Sequence, residues 1–546
     1  MTQRRETACF EALTPTSFLL RSGRVYADRC AVIDGQRRFS YAELLERCLR
    51  LGGALHKLGV AEGGRIAVLA PNSHVLLESH YGVPFAGAVL VALNMRLPAT
   101  ELSVIVAHSG AQVLIYDYEL EHVAHDIAAQ LGGGLRMVRA GRSDDEYETL
   151  LRDSDPLQRE VSDECRLLSI NYTSGTTGKP KGVMYHHRGA YLQALAMAME
   201  TRLDCDSTFL WTLPMFHCNG WCFTWAVTAA GAAHRCLRKF DPGVVWKHLR
   251  DSNVTHFNGA PTVLVMLAWH SDAAKLPHTV RVATGGAPPT PALLERMAEL
   301  GMDVSHLYGL TETFGPAVIC EWRGEWSALT ITEQAQIKAR QGVGNVISQQ
   351  LRVVDLHGKD VPADGNALGE IALRGNNVML GYYNDEIATR AAIPDGWLRT
   401  GDLGVMHSDG YVEIKDRAKD VIISGGENIA SIEIERVLCA HAAVIEAAVV
   451  ARSDPVWGEV PIAFVTLKDG VVATEDELIA YARARMAHFK APKRIVFGEL
   501  PKNATGKIQK FVLRERAQSV DLETGADQND GSRAIEARPP NTFRSP

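Results

Sequence analysis

The 546-residue sequence lacks a long uninterrupted apolar run and an excess of basic residues. Its most apolar stretch, residues 75–93, is broken by Glu78, His80 and Pro84, whereas a membrane span needs about 18 or more apolar residues. The formal net charge is −7, and nucleic-acid binders usually show a basic domain or stripe. We therefore expect no membrane-spanning helix and no nucleic-acid partner.

The ten cysteines lack Cys-x-x-Cys spacing, which argues against a zinc site or a disulfide framework and favours reduced thiols. Cys218 and Cys222 stand four residues apart, a spacing that packing explains better than metal ligation. No apolar segment follows the Met-Thr-Gln-Arg-Arg-Glu start, so a secretory signal peptide is not expected. Together these features predict a cytoplasmic protein.

Helix and strand patterns alternate along the first half of the sequence. Ser40 and Glu43 form a capping-box pattern before apolar residues at helical spacing. Short apolar strand candidates occupy residues 65–70, 88–93, 112–116, 168–172, 209–213, 256–259 and 280–284. Strands separated by helices predict an α/β fold with a mostly parallel sheet, whose ligands bind beyond the carboxyl ends of the strands.

The second half of the sequence changes character. Residues 342–416 show shorter, alternating strands with turn signals, which predicts a β subdomain. After residue 419 we expect a small, mobile α+β domain whose best helix follows a capping box at Thr474 and Glu477. The predicted organisation is an N-terminal domain over 10–416, a hinge at 417–419, a C-terminal domain over 420–519 and a disordered polar tail over 520–546.

Residues 172–183 read Tyr-Thr-Ser-Gly-Thr-Thr-Gly-Lys-Pro-Lys-Gly-Val, directly after an apolar strand. Glycines let backbone N–H groups converge on an anion, while hydroxyls donate hydrogen bonds and lysines supply charge. The segment is not a Walker A loop, because Pro180 follows Lys179. An ordinary surface loop has a similar composition, so the motifs that follow decide between the two interpretations.

This loop resembles the signature of the acyl-adenylate-forming enzymes, the AMP-binding superfamily of acyl-CoA synthetases, luciferases and peptide-synthetase adenylation domains. Other motifs of that family follow in its order, and the resemblance covers roughly residues 10–515. They are Pro214 to Trp221, Thr-Gly-Gly-Ala-Pro at 284–288, Tyr-Gly-Leu-Thr-Glu-Thr at 308–313, Thr-Gly-Asp-Leu-Gly at 400–404, Ser-Gly-Gly-Glu-Asn at 424–428 and Pro-Lys-Asn-Ala-Thr-Gly-Lys at 501–507.

The resemblance implies a nucleotide site. Tyr308 stacks on adenine, Thr311 meets the α-phosphate and Asp402 takes the ribose hydroxyls, with Arg417 near ribose and phosphate. Glu312 and Thr173 hold Mg²⁺, a metal that prefers carboxylate and phosphate oxygens. The remaining ATP-binding residues implied are Ser174, Gly175, Thr176, Thr177, Gly178, Lys179, Gly286, Ala287, Pro288 and Gly309.

The resemblance also implies an acyl pocket, a CoA tunnel and a catalytic lysine. His217, Trp221, Gly285 and Gly286 line the acyl pocket, with Trp221 as a gate, and His217, Thr311, Glu312 and Lys507 form the catalytic set. Lys419 is the hinge, and Ser424, Gly425, Gly426 and Glu427 border the pantetheine tunnel. Taken singly, each residue has an ordinary explanation: core packing, a turn or a solvated charge.

The implied activity is that of an AMP-forming acyl-CoA synthetase using ATP, Mg²⁺ and coenzyme A. The motifs most resemble fatty-acyl and 3-methylmercaptopropionyl-CoA ligases, so a medium- or long-chain fatty acid is the first interpretation and the short thioether acid the second. A peptide-synthetase adenylation domain, a luciferase, a phosphotransferase that releases ADP and a non-catalytic nucleotide-binding scaffold are the alternatives. A homodimer is a candidate assembly.

Overall fold

A computed structural model of the protein describes residues 10–173, 180–348, 351–425, 427–468, 470–502 and 508–520. Among these residues the chain divides into two compact units. The first comprises Met1–Pro289, Leu293–Leu351 and Leu373–Leu398, and the second comprises Thr290–Ala292, Arg352–Ala372 and Arg399–Pro546.

The first unit contains two sheets flanked by helices. Its strands are β1 Cys30–Asp34, β2 Arg37–Ser40, β3 Arg65–Leu69, β4 Val89–Ala92, β5 Ala111–Asp117, β6 Arg136–Ala140, β7 Leu167–Thr173, β8 Lys181–His186, β9 Thr208–Trp211, β10 Ala233–Cys236, β11 His256–Gly259, β12 Val280–Thr284, β13 Met302–Leu310, β14 Gly315–Ile319 and β15 Val343–Gly344. Its helical segments are α1 Thr16–Val25, α2 Tyr41–Lys57, α3 His74–Phe85, α4 Ala99–Ser109, α5 Glu121–Gln130, α6 Glu146–Arg152, α7 His187–Glu200, α8 Cys218–Trp221, α9 Phe223–Ala230, α10 Pro242–Asp251, α11 Pro261–Ala268, α12 Pro291–Glu299, α13 Ile331–Lys338 and α14 Glu386–Ala392.

Both sheets of the first unit are mainly parallel. One has the order β6-β5-β3-β4-β7-β8, in which β8 is the antiparallel edge strand. The other has the order β15-β14-β13-β12-β11-β9-β10-β1-β2, parallel from β13 to β1 and antiparallel toward both edges. The α/β fold expected from the alternating pattern is thus confirmed, and strands lie where the sequence predicts them.

Local signals and burial explain why these segments take their forms. The Ser40 hydroxyl accepts from the Glu43 N–H, and the Glu43 carboxylate accepts from the Ser40 N–H, so α2 begins with the predicted capping box. Apolar helix faces pack on the sheets: Trp246 on α10 and Met297 on α12 are fully buried in one core cluster with Phe257 on β11. Polar residues and glycines lie at the ends of parallel strands, as Thr284 and Gly285 do at β12.

The second unit contains two smaller sheets. Its strands are β16 Arg352–Val354, β17 Gly369–Leu373, β18 Leu398–Met406, β19 Val412–Arg417, β20 Ile422–Ser424, β21 Glu427–Ile429, β22 Val444–Asp454, β23 Gly458–Leu467 and β24 Arg494–Phe497, and its helices are α15 Ser431–Cys439, α16 Glu475–Arg483 and α17 Lys510–Gln518. β16 to β19 form a sheet in chain order, in which β16 pairs antiparallel with β17 and β18 antiparallel with β19. β21-β20-β23-β22 form the other, with β24 paired to β23. Thr474 and Glu477 cap α16 as predicted.

A small α+β region therefore follows the β strands, as expected. The segment Leu373–Leu398, which the sequence assigned to the β subdomain, groups with the first unit. The domain bounds and the hinge stay predictions, and the expected disordered tail lies outside the described residues apart from its first residue, Val520.

In the described part of the chain, no helix combines the length and the apolar character needed to cross a membrane. None of the nine cysteines within the described ranges forms a disulfide. Cys218 and Cys222 are buried, and each sulfur contacts an oxygen atom: Thr311 Oγ1 at 3.3 Å and the Phe314 carbonyl at 3.5 Å, respectively.

Candidate active site

The strands β7 and β8 frame the predicted phosphate loop. Thr173 ends β7 and lies opposite Lys181, the first residue of β8, in an antiparallel pair. Of the predicted loop residues, Ser174, Gly175, Thr176, Thr177, Gly178 and Lys179 lie outside the described residues.

Two hydrogen-bonded tyrosines organise the turn that carries Thr311 and Glu312, which joins β13 to β14. The Tyr185 hydroxyl, on β8, donates to the Thr311 carbonyl at 2.6 Å. The Tyr382 hydroxyl donates to Glu312 Oε1 at 2.8 Å. Burial, followed by the charge of Glu312, raises the pKa of Tyr382 well above its usual value, so the phenol stays a donor. Glu312 is thereby held by one oxygen atom, and the other keeps its capacity to bind a cation.

Tyr382 belongs to a segment that covers the edge of the six-stranded sheet. The Leu380 N–H donates to the Met184 carbonyl, the Met184 N–H to the Gly381 carbonyl, and the Tyr383 N–H to the Gly182 carbonyl, at 2.7–3.0 Å. The Lys181 ammonium lies 4.8 Å from the Tyr382 ring centroid. Tyr382 therefore links the strand that leaves the phosphate loop to the Glu312 carboxylate.

A pocket brings together His217 from the 214–221 motif and Thr311 from the 308–313 motif. His217, Cys218 and Thr311 line it with Leu93, Asn94, Asn171, Tyr172 and Phe216 among their neighbours. The Cys218 sulfur lies 3.3 Å from Thr311 Oγ1 and 3.9 Å from His217 Nε2. Burial raises the pKa of the Cys218 thiol to about 12, so it is a neutral thiol here.

Glycines let backbone segments approach closely where β12 and β13 end. A Cβ on Gly309 would lie 1.9 Å from the Gly315 carbonyl oxygen, and one on Gly285 would lie 2.7 Å from the Leu307 carbonyl oxygen. Tyr308, the chain neighbour of Gly309, is 8% exposed. Gly286 and Ala287 are exposed and Pro288 is half-buried at the end of β12. These residues form a low surface of backbone, which suits the approach of a flat ring.

The Trp221 side chain packs beside Gly285 and Gly315. A Cβ on Gly285 would lie 3.2 Å from the Trp221 ring, and one on Gly315 would lie 3.1–3.3 Å from Trp221 atoms. Trp221 is 7% exposed. The indole is therefore packed against two backbone segments where no larger residue fits.

The turn that carries Trp221 has an unusual backbone. Cys218, Asn219, Gly220, Trp221 and Cys222 all have φ between 45° and 63°. Left-handed backbone costs about 1–2 kcal/mol for each non-glycine residue. Such strain persists only where surrounding contacts impose it, and it is concentrated at functional sites.

The second unit pairs two other predicted residues. Asp402 on β18 lies opposite Arg417 on β19, and Arg417 Nε is 3.0 Å from Asp402 Oδ1. Asp402 is 4% exposed. A buried carboxylate held on one oxygen can accept a diol on its other lone pairs.

The remaining predicted residues of the second unit lie close along the chain. Burial, then the charges of Arg417 and Arg514, lowers the pKa of Lys419, and its role as a hinge stays a prediction. Ser424 and Glu427 pair across the β20–β21 turn, and a Cβ on Gly425 would lie 3.0 Å from the Trp457 ring. Gly426 and Lys507 lie outside the described residues.

The comparisons with known proteins now identify the class. Residues 19–383 match the family described as AMP-binding enzyme, and residues 433–507 match the AMP-binding enzyme C-terminal domain. The chain therefore belongs to the AMP-binding enzyme family, and it is an acid–thiol ligase of the AMP-forming, acyl-CoA-ligase type.

Its relatives include an acetate–CoA ligase of Humulus lupulus, 42% identical over 94% of this chain and 96% of that protein. An acetate/butyrate–CoA ligase of Arabidopsis thaliana, named as peroxisomal, is 42% identical over the same shares. Among solved structures, ATP-bound MatB from Rhodopseudomonas palustris has a TM-score of 0.84 at 27% identity, with 93% of this chain and 99% of that chain covered. The cytoplasmic location and the homodimer stay predictions.

The structure adds contacts that the motifs did not identify. Tyr382 bonds to Glu312, Cys218 contacts Thr311, and Asn219 anchors the left-handed turn. The first two join residues far apart in sequence, so no local pattern marks them.

Proposed function

We propose that this ligase activates a short-chain aliphatic carboxylic acid as its acyl-adenylate and transfers the acyl group to coenzyme A. The packing of Trp221 against Gly285 and Gly315 supports the proposal, because an indole beside Gly285 would shorten the acyl pocket that the resemblance places there. The names of two relatives, acetate–CoA ligase and acetate/butyrate–CoA ligase, support the same range. The thioether acid 3-methylmercaptopropionate, which is about as long as pentanoate, is the second candidate.

The chemical problem in adenylation is the approach of a carboxylate to an anionic α-phosphate. Lys507 would contact both anions and offset their repulsion, while Thr311 would orient the α-phosphate. Asp402 would hold the ribose, fixed by its contact with Arg417.

The site also suits a magnesium ion. Glu312 and the Thr173 hydroxyl are hard oxygen donors, and Mg²⁺ is typically bound by one or two protein carboxylates plus substrate phosphates. Glu312 would hold it with Thr173, and the ion supplies positive charge against the triphosphate. Tyr382 fixes the orientation of Glu312 in this role.

The first experiment measures CoA-dependent AMP release with straight-chain acids from acetate to palmitate, benzoate and 3-methylthiopropanoate. We expect an optimum among acids no longer than hexanoate, with palmitate and benzoate at least about tenfold lower in kcat/KM, because each misfit methylene costs about 1–3 kcal/mol. An optimum at dodecanoate or beyond would instead support the fatty-acid interpretation. Release of ADP in place of AMP would indicate a phosphotransferase.

Replacing Trp221 by alanine should move this optimum toward longer acids. Removal of the indole opens space beside Gly285, so kcat/KM for octanoate should rise about tenfold and that for acetate should fall by a similar factor. Trp269→Ala is the matched control, since this tryptophan is 54% exposed and belongs to the same unit. An unchanged chain-length profile in Trp221→Ala would show that the ring does not limit pocket depth.

Replacing Gly426 by leucine should block the second half-reaction alone. The resemblance places Gly426 beside pantetheine, and a leucine there would obstruct the thiol while leaving adenylation intact. We expect thioester formation from supplied acyl-adenylate to fall about tenfold or more, as expected for a displaced reactant, with ATP–pyrophosphate exchange unchanged. Gly324→Leu is the control, because a side chain there would meet open space. Equal loss of both half-reactions would contradict the assignment.

A further inference from the structure

A buried polar network surrounds the left-handed turn formed by residues 218–222. Its centre is Asn219, which is fully buried. Asn219 Oδ1 accepts from Ser169 Oγ and from Asn171 Nδ2, both at 2.6 Å, and the Asn219 N–H donates to Asn171 Oδ1 at 3.2 Å. Asparagine tolerates the left-handed conformation better than most residues, so it suits both the backbone and the network.

His80, on α3, completes the network from the opposite side. Its Nε2 lies 3.0 Å from Asn219 Nδ2, and its Nδ1 lies 2.7 Å from the Leu76 carbonyl. Because a carbonyl only accepts, Nδ1 carries the proton and Nε2 accepts from the Asn219 amide. Burial lowers the pKa of His80 to about 4, which keeps the ring neutral. The ring therefore fixes the orientation of the Asn219 amide.

The network joins two functional segments of the first unit. Ser169 and Asn171 lie on β7, the strand that runs into the phosphate loop. Asn219 lies between Cys218, which contacts Thr311, and Trp221, which packs against Gly285 and Gly315. Gly220 lets the turn pack against Trp211, since a Cβ at this position would lie 2.7 Å from the Trp211 ring.

We propose that Asn219 is a specificity-determining positioning residue: held by Asn171 and His80, it locks the left-handed turn and so fixes how far Trp221 reaches into the acyl pocket. The network thereby fixes the position of Trp221, the proposed wall of the acyl pocket, relative to β7, the strand that leads into the phosphate loop. Chain-length selectivity then depends on residues that never contact the acid. Its test measures selectivity among acids, so this inference rests on the proposed function.

The test is Asn219→Gly, with acid and ATP kinetics measured separately. Glycine accepts the left-handed backbone without strain but removes the hydrogen bonds that the Asn219 side chain makes with Ser169, Asn171 and His80. The acid KM should rise about tenfold, and the ratio of kcat/KM for hexanoate over butyrate should rise by a similar factor as the Trp221 wall loosens. The ATP KM should stay within about twofold, since the substitution alters none of the residues that the resemblance assigns to the nucleotide.

A second pair of variants keeps the test independent of the folding of Asn219→Gly. His80→Gln retains an amide oxygen that can accept from Asn219, whereas His80→Leu leaves that amide unsatisfied. We expect the glutamine variant to lie closer to the wild-type selectivity ratio than the leucine variant. Asn253→Gly is the control: it has φ of 49° in an exposed position and should leave the ratio unchanged.

The outcomes separate this inference from the proposed function. A wild-type selectivity ratio in both Asn219→Gly and His80→Leu, with only a lower melting temperature, would overturn the inference while leaving the ligase activity standing. Parallel rises in the acid KM and the ATP KM would also overturn it. Wild-type enzyme that forms no acyl-adenylate with any acid of the panel would overturn both.

Discussion

Replacing Lys507 by alanine is expected to lower acid-dependent acyl-adenylate formation by about 1000-fold, the upper range for loss of one preorganised donor to a developing anion. The acid carboxylate and the α-phosphate repel each other, and the resemblance assigns to Lys507 the charge that offsets this repulsion. The second half-reaction does not need that contact. Thioester formation from supplied acyl-adenylate should therefore stay within about threefold of wild type.

The measurement is ATP–pyrophosphate exchange for the first step and thioester formation from synthetic acyl-adenylate for the second. Lys502→Ala is the matched control, since this nearby lysine forms an ion pair with Glu446 at 2.9 Å and has no assigned catalytic role. Equal losses in both half-reactions of Lys507→Ala would refute the assignment.

Replacing Glu312 by glutamine should reduce adenylation by about 100- to 1000-fold, because metal-assisted charge stabilisation contributes several kcal/mol and each 1.36 kcal/mol is tenfold in rate. The glutamine carbonyl oxygen can still accept from the Tyr382 hydroxyl, so the fold of the turn should be retained. The negative charge on the predicted metal ligand is lost.

A magnesium titration distinguishes this cause from misfolding. The Mg²⁺ concentration for half-maximal exchange should rise in Glu312→Gln, while the melting temperature stays close to that of wild type. Glu325→Gln, at an exposed position of the same unit, should change neither quantity. A Glu312→Gln enzyme with the wild-type magnesium requirement would show that this carboxylate does not bind the metal.

Much of the fold could be predicted because its signals are local. The capping boxes at Ser40 and Thr474 lie next to the helices they begin, and apolar runs bounded by glycine or proline mark the parallel strands. Gly285 and Gly309 were also predictable from local sequence, since each lies at or near a strand end where two backbone segments come close.

The parts that the sequence could not predict depend on contacts between distant segments. Nothing near Tyr382 shows that its hydroxyl will reach Glu312, and nothing near Asn219 shows that His80 and Asn171 will enclose it. Asn-Gly in a sequence ordinarily predicts an exposed turn. Here the turn is buried, and its polar groups are satisfied by residues that only the tertiary fold supplies.

The covering of β8 by Leu380–Tyr383 has a consequence for synthesis on the ribosome. Until Tyr383 emerges, the open edge of β8 exposes unpaired N–H and carbonyl groups, a template for pairing with other chains. Translation at about 5–20 residues per second makes that interval roughly 10–40 s. The nascent chain therefore passes through a period in which premature termination or ribosome stalling would leave an aggregation-prone fragment in place of a partly active enzyme.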